Sequence, residues 1–278
     1  MIIPNNAIGH KIKSAQAFVS LILRGGRGVM GTANPMQPEK SLVLYEFEAC
    51  PYSRRVREVM TLLNLDYESR PSPHKGHVYR DELKELAGKA QVPFLIDENN
   101  VDGANGEEGD QILDSQAIID HLFANYSKKG FTPDKYQRQN KKDNASLANK
   151  VASVASMMRG AKAVHPKKNL ARAKPKQPLH LYGFEASPFC RLVREKLSEL
   201  EVGYINHNVA RERIQDIGAF GFHLTKGEYQ PIKGGKRDRL MHEEIKGELL
   251  FPYLVDPNTD TQMYESQDII DYLEYNYG

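Results

Sequence analysis

The sequence predicts an α/β protein built from two tandem copies of one domain. Its clearest feature is an internal duplication, because residues 42–67 and 179–204 share 13 identical pairs in 26 positions at a constant spacing of 137 residues. Each copy begins with a short apolar run. Apolar side chains at spacings of three and four follow, which indicates a strand and then a helix. A length of 278 residues also fits two domains.

In the first copy, residues 43–47 predict an apolar and aromatic strand, and a four-residue turn separates it from the helix. Pro51 suits the first turn of a helix, where its missing N–H group is not needed. The apolar face of this helix carries Val56, Val59, Met60 and Leu63. Tyr67 is expected to begin the second strand.

A second block recurs in the same order in both copies. Residues 91–97 match 250–256, and residues 114–120 match 265–271, while the segments between them differ in length. The first pair predicts a strand, and the second predicts a helix that Ser115 caps. Its apolar face carries Ile118, Ile119 and Leu122. Elements that keep their order while loops vary are typical of duplicated domains.

The segments outside the two copies are polar and basic. The acid-free N-terminus fits a short helix docked on the body, and a transit peptide or a membrane-surface helix remains open. Residues 226–239 predict a surface loop. The expected organisation is a basic N-terminal segment with a short helix at 1–40, a first domain at 41–127, a basic linker with one helix at 128–178 and a second domain at 179–278.

Composition limits the classes of function. No apolar run approaches the roughly 20 residues of a bilayer-spanning helix, so no transmembrane segment is expected. A net charge of +2 gives no general affinity for nucleic acid. Two distant cysteines do not form the disulfide framework of a small secreted protein, so a reducing compartment, the cytoplasm, is expected. No cysteine and histidine spacing suits a metal ion, and a monomer is compatible with the sequence.

Two four-residue turns carry the candidate chemistry, and each contains a single cysteine. Copy one has Cys-Pro-Tyr-Ser at 50–53, and copy two has Ser-Pro-Phe-Cys at 187–190. Neither turn can close a local disulfide. Cys50 is expected at a helix N-terminus, where unpaired backbone N–H groups favour the thiolate. The charged side chains nearby are Arg54, Arg55 and Arg57, which favour a thiolate, and Glu46 and Glu48, which oppose it.

The order of these motifs resembles a known superfamily. A Cys-Pro-Tyr-Ser turn after a strand, a Val-Pro pair before a strand and an Asp-Ser pair before a helix stand at 50–53, 92–93 and 114–115. This set resembles the thioredoxin-like fold of glutaredoxins and of glutathione transferase N-terminal domains, and it recurs in copy two. The resemblance implies that each copy is a mixed four-stranded sheet flanked by helices.

The resemblance also implies a glutathione site in each copy. The proline of each Val-Pro or Phe-Pro pair would follow a cis peptide bond, and the backbone of the preceding residue would bind the cysteine portion of glutathione. Each acid-serine pair would hold the γ-glutamyl group, although simple helix capping remains an alternative. The expected glutathione-binding residues are Tyr52, Val92, Pro93, Asp114 and Ser115 in copy one and Phe189, Phe251, Pro252, Glu265 and Ser266 in copy two.

Ser187 has two interpretations. Its Ser-Pro-Phe sequence resembles the catalytic turn of some plant-type transferases, in which the serine hydroxyl donates a hydrogen bond to the glutathione thiolate. Alternatively, Ser187 remains where a nucleophilic cysteine was lost. Cys190 lies one helical turn further on and is expected to be a packed, slowly reacting thiol.

The expected function is that of a glutathione-dependent thiol-disulfide oxidoreductase. Cys50 would be catalytic in a monothiol mechanism, because Ser53 cannot resolve a mixed disulfide. Glutathione would be the co-substrate, and the partners would be glutathionylated or disulfide substrates. Two alternatives remain: a non-catalytic glutathione-binding or protein-interaction module, and a transferase or isomerase in which Ser187 is catalytic. No all-helical transferase domain is expected after either copy.

Overall fold

The computed structural model describes residues 28–99, 109–137, 163–167, 174–213, 216 and 230–278. The helices expected in the N-terminal segment and in the linker lie outside these residues. Among the helices that are described, none is both long enough and apolar enough to cross a membrane. Both copies of the duplicated motif lie within the described residues.

Copy one has the expected strands and helices in their expected order, with one further strand before the last helix. They are β1 (Leu42–Glu46), α1 (Pro51–Leu63), β2 (Tyr67–Pro71), α2 (Arg80–Ala87), β3 (Phe94–Asp97), β4 (Asp110–Leu113) and α3 (Ser115–Tyr126). Helix α1 begins at the predicted proline and ends at Asn64, whose positive φ of 56° turns the chain towards β2. The predicted apolar faces of α1 and α3 lie in one buried core.

Copy two repeats this arrangement. Its elements are β5 (Leu179–Gly183), α4 (Pro188–Leu200), β6 (Tyr204–Asn208), α5 (Lys236–Arg239), β7 (Tyr253–Asp256), β8 (Thr261–Tyr264) and α6 (Ser266–Tyr277), with one turn of π-helix at Leu240–Glu244. Helices α4 and α6 pack together as α1 and α3 do. The second copy therefore has its own core, which is separate from that of the first.

Each copy forms the predicted mixed four-stranded sheet. Strand β1 pairs in parallel with β2 and antiparallel with β3, which pairs antiparallel with β4, and strands β5–β8 repeat these pairings. The two sheets join at their edges, because β2 and β6 pair antiparallel with Ser69 opposite Tyr204. The resulting eight-stranded order is β4-β3-β1-β2-β6-β5-β7-β8. The fold of each copy is as predicted, and the shared sheet is an additional finding.

The surface loop predicted at residues 226–239 is partly a buried helix, so that interpretation was wrong. Helix α5 lies in this segment, and the completely buried Arg237 donates to the carbonyl oxygen of Val209 at 3.1 Å. Arg80 makes the equivalent contact with Ser72 in copy one at 3.0 Å. Both arginines begin an Arg-Asp-x-Leu sequence, so α5 is the counterpart of α2. A longer preceding segment in copy two hides this match.

Candidate functional site

Cys50 lies at the N-terminus of α1, where the sequence predicts it. It is the N-cap residue, and its Sγ accepts the backbone N–H of Ser53 at 3.4 Å. Its side chain packs with Phe47 and Ala49 in a small apolar cluster and is only 5% exposed, whereas Tyr52 is 51% exposed. The thiol therefore combines a position at a helix N-terminus with restricted access from solvent.

The two proline loops have the expected backbone geometry. The peptide bonds between Val92 and Pro93 and between Phe251 and Pro252 are both cis, which confirms the prediction. Val92 packs against the apolar cluster that contains the cysteine, so the turn and the proline loop of copy one meet. In copy two, the guanidinium carbon of Arg237 lies 5.7 Å from the ring centroid of Phe251. The two loops thus have the same cis peptide geometry, but different side chains lie beside them.

Ser187 takes the position of the cysteine in copy two. It is the N-cap residue of α4, and its Oγ accepts the backbone N–H of Cys190 at 3.3 Å. Cys190 is completely buried, as expected, and burial raises the pKa of its thiol. Gly183 leaves room for this thiol, because an added Cβ would lie 2.5 Å from Sγ. Copy one has Glu46 at that position. Phe189 is partly buried in the same turn.

The acid-serine pairs stand at the starts of α3 and α6 in equivalent backbone conformations. Asp114 and Glu265 both have positive φ, 106° and 67°. Asp114 caps α3, because its carboxylate accepts two backbone N–H groups at 2.9 and 3.3 Å. The prediction that Ser115 is the cap was therefore wrong, since it is the first helical residue. Ser115 and Ser266 are buried, and the exposed Glu265 makes no side-chain capping bond.

Most of the charged side chains expected to act on Cys50 form ion pairs with one another. These pairs lie in a buried cluster between the copies. Arg57 forms an ion pair through Nη2 with the Glu48 carboxylate of its own copy at 3.0 Å and donates through Nε to Glu185 of the other copy at 2.9 Å. Arg194 repeats both contacts, with Glu185 at 3.0 Å and Glu48 at 2.9 Å. We call these four residues and Glu46, which also contacts Arg57, the ion cluster.

Burial and pairing act differently on the acids of the ion cluster. Burial raises the pKa of Glu46, although Arg57 opposes the shift. Burial also disfavours the charge of Glu48, but Arg194 and Arg57 outweigh it and hold the pKa of this carboxyl below its usual value. Carboxylates thus surround Arg57, and its positive charge is compensated within the ion cluster. Arg54 is likewise 3.9 Å from Glu185.

The geometry of the two turns defines a class of protein. Two thioredoxin-like domains each present a cysteine or serine as the N-cap of a helix and a cis-proline loop. Within the described residues, no three histidine, cysteine, aspartate or glutamate side chains are grouped to hold a metal ion. The class is therefore a tandem thioredoxin-like protein in which copy one alone has a cysteine at the head of its turn.

Comparison with protein families gives the narrower assignment. The family described as glutathione S-transferase, N-terminal domain, matches residues 44–130 and 181–278, so the chain belongs to this family. Comparisons with curated proteins and with solved structures found no match. Membership indicates, in general terms, a glutathione-related function on a thioredoxin-like fold.

The sequence interpretation missed the ion cluster, although a signal was present. Glu48 and Arg57 in copy one correspond to Glu185 and Arg194 in copy two, and each arginine follows its glutamate by nine residues. The same glutamate and arginine recur beside the apolar core in both copies, and charged side chains in such places are buried only when they are paired. Their partners could not be inferred within one copy, because each arginine contacts glutamates of both copies.

Proposed function

We propose that the protein is a glutathione-dependent thiol-disulfide oxidoreductase that uses a monothiol mechanism at Cys50. The observation that carries the proposal is a cysteine at a helix N-terminus in an apolar cluster with Phe47 and Ala49, against which Val92 of the cis-proline loop packs. The N–H groups at a helix start stabilise negative charge on sulfur. Copy two has a serine at this position, and Cys190 is buried beneath its turn.

The proposed reaction is two successive thiol-disulfide exchanges. The Cys50 thiolate attacks the glutathione sulfur of a glutathionylated substrate, the substrate disulfide bond breaks, and the substrate leaves as a thiol after taking up a proton. A second glutathione thiolate then attacks the Cys50–glutathione disulfide. Oxidised glutathione leaves, and the Cys50 thiolate is restored. Ser53 takes no part, because a hydroxyl cannot resolve the mixed disulfide.

Glutathione is proposed to lie between the turn, the proline loop and the start of α3. The backbone of Val92 before Pro93 would bind its cysteine portion, Ser115 and Asp114 would hold its γ-glutamyl group, and the exposed Tyr52 would border it. A buried serine at a helix N-terminus suits a carboxylate, because hydroxyl and amide groups point to the same place. In copy two the equivalent residues are Phe189, Phe251, Pro252, Glu265 and Ser266.

A second candidate is a non-catalytic glutathione-binding or protein-interaction module. The burial of Cys50 favours it, because a thiol with 5% exposure meets a bulky disulfide only after something moves. A transferase that acts through Ser187 is a third candidate, because the Ser187 hydroxyl accepts an N–H group of its own helix and still has its O–H to donate to a glutathione thiolate. The two cysteines are free, which suits a reducing compartment such as the cytoplasm.

The test measures reduction of the mixed disulfide formed by glutathione and 2-mercaptoethanol, with reduced glutathione as the reductant. We expect Cys50→Ser to abolish turnover, because the attacking sulfur is lost. Ser53→Ala should leave turnover largely intact, since the scheme needs no second residue in the turn. Cys190→Ser is the matched control for the loss of a cysteine outside the proposed site.

Turnover that survives Cys50→Ser would contradict the proposal, and so would a strong dependence on Ser53. If the wild-type protein shows no turnover but binds glutathione in calorimetry, the non-catalytic module is correct. A loss of glutathione binding in Ser115→Ala but not in Ser266→Ala would restrict binding to copy one.

A further inference from the structure

Two short segments cross from one copy to the other and lie against the candidate turns. The first, residues 28–32, precedes copy one and contacts the turn of copy two. The second, residues 163–167, precedes copy two and contacts the turn of copy one. We call them the first strap and the second strap.

The second strap lies beside the apolar cluster that contains Cys50. Val164 packs against the apolar cluster that contains Cys50, on which Val92 also packs. The backbone N–H of His74 donates to the carbonyl oxygen of Val164 at 2.8 Å, and Nδ1 of His165 lies 3.0 Å from the carbonyl oxygen of His74. These contacts hold the strap beside the turn.

The first strap contacts copy two through two hydrogen bonds, one of which repeats in copy one. The N–H of Arg211 donates to the carbonyl oxygen of Val29 at 2.9 Å, as that of His74 does in copy one. The N–H of Ala186, beside Ser187, donates to the carbonyl oxygen of Gly28 at 3.0 Å. Gly28 has a φ of 77°, and the residue before Val164 repeats this conformation with a φ of 60°. Both straps therefore begin with a residue of positive φ.

Each strap is also anchored beyond the turn, on the helix of the copy that it precedes. The N–H of Thr32 donates to the carbonyl oxygen of Leu62 in α1 at 3.0 Å, and that of Lys167 donates to Glu199 in α4 at 2.7 Å. Lys167 also forms an ion pair with Glu274 in α6. Two segments with equivalent contacts at both ends indicate specific docking rather than incidental contact.

We propose that the second strap is an intramolecular cover of the Cys50 thiol and that it must move aside before a disulfide or another solute reaches Sγ. Thiol-disulfide exchange needs direct approach of a sulfur atom to the thiolate, and reactivity follows exposure as well as ionisation. Displacement of the strap would also release the N–H of His74, which could then bind a carbonyl group of the incoming substrate. The proposal concerns access to the thiol and stands whether or not glutathione is the reactant.

The test measures the rate at which iodoacetamide alkylates Cys50 in the full chain, followed by mass spectrometry. Val164→Gly removes the covering side chain, so we expect alkylation about tenfold faster than in the wild-type protein. Val29→Gly is the matched control, because it removes the same side chain from the first strap and should leave the Cys50 rate unchanged. Labelling of the buried Cys190 reports whether a variant has lost its fold.

A Cys50 rate in Val164→Gly within about twofold of the wild-type rate, with Cys190 still unlabelled, overturns the proposal. Equal acceleration by Val29→Gly also overturns it, because the effect would then be a general loosening. If Cys190 becomes labelled in Val164→Gly, that variant has lost its fold, and the Cys50 rate in Ala163→Gly tests the proposal instead. Glycine removes the cost of a positive φ in the docked strap, so Cys50 should react about threefold more slowly, and an unchanged or faster rate overturns the proposal.

Discussion

The ion cluster predicts that Arg57 contributes far more to stability than an ordinary surface arginine. The Arg57 guanidinium is buried and contacts three carboxylates, those of Glu46, Glu48 and Glu185. Arg57→Met removes it from all three. Removal of one partner from a buried ion pair typically costs about 3–5 kcal/mol, because the remaining charge stays out of water without compensation. We expect a loss in this range.

Two comparisons isolate the cause. Arg194→Met should cost less than Arg57→Met, because Arg194 contacts two carboxylates and copy two has Gly183 where copy one has Glu46. Lys40→Met removes a pair whose side chains are both more than half exposed and 3.6 Å apart, so it should cost about 1 kcal/mol or less.

Equilibrium unfolding in urea measures these differences. Tyrosine fluorescence and circular dichroism can follow it, because the chain has 14 tyrosines and no tryptophan. The added substitution Glu46→Gln should restore part of the stability lost in Arg57→Met, since it removes one unpaired acid. If Arg57→Met costs no more than Lys40→Met, the ion cluster does not stabilise the join between the copies as we argue.

Two further outcomes follow from buried groups. Stability should fall as the pH drops below about 6.5, because burial lowers the pKa values of His74 and His180 in the folded protein while the unfolded chain takes up protons there. Urea unfolding at about pH 8 and about pH 5 measures this loss of stability. If His180→Gln loses as much stability between these pH values as the wild-type protein, His180 has no part in the effect. Ser187→Cys should form an intradomain disulfide with Cys190 on mild oxidation, because their side chains are adjacent at the helix start. Mass spectrometry that finds only intermolecular dimers would show that copy two cannot close this bond.

The sequence predicts local features well where one copy contains the whole signal. The helix beginning at Pro51, the buried Ile118 and the cis bonds before Pro93 and Pro252 all depend on short motifs. The cap of α3 was misassigned by one residue, since Asp114 and Ser115 are both good capping residues and only the backbone geometry distinguishes them.

Long-range features could not be derived in the same way. Arg57 looks like a solvated charge near Cys50, and only the pairing of β2 with β6 brings Glu185 of the other copy to it. The straps had a faint signal, because Arg24-Gly25 and Val29 recur as Arg159-Gly160 and Val164 at a spacing of 135 rather than 137 residues. A shift of two residues removes this match from an alignment that assumes one fixed spacing.

The join between the sheets also bears on how the two copies could become different. A separate single repeat that paired through the same strand edge and ion cluster would form a symmetric homodimer, in which every substitution appears on both sides of the twofold axis. With both repeats in one polypeptide, each side can change alone. One side has Glu46 beneath the turn and the other has Gly183, which admits the buried Cys190. Fusion thus allows the two halves to diverge while they keep one shared interface.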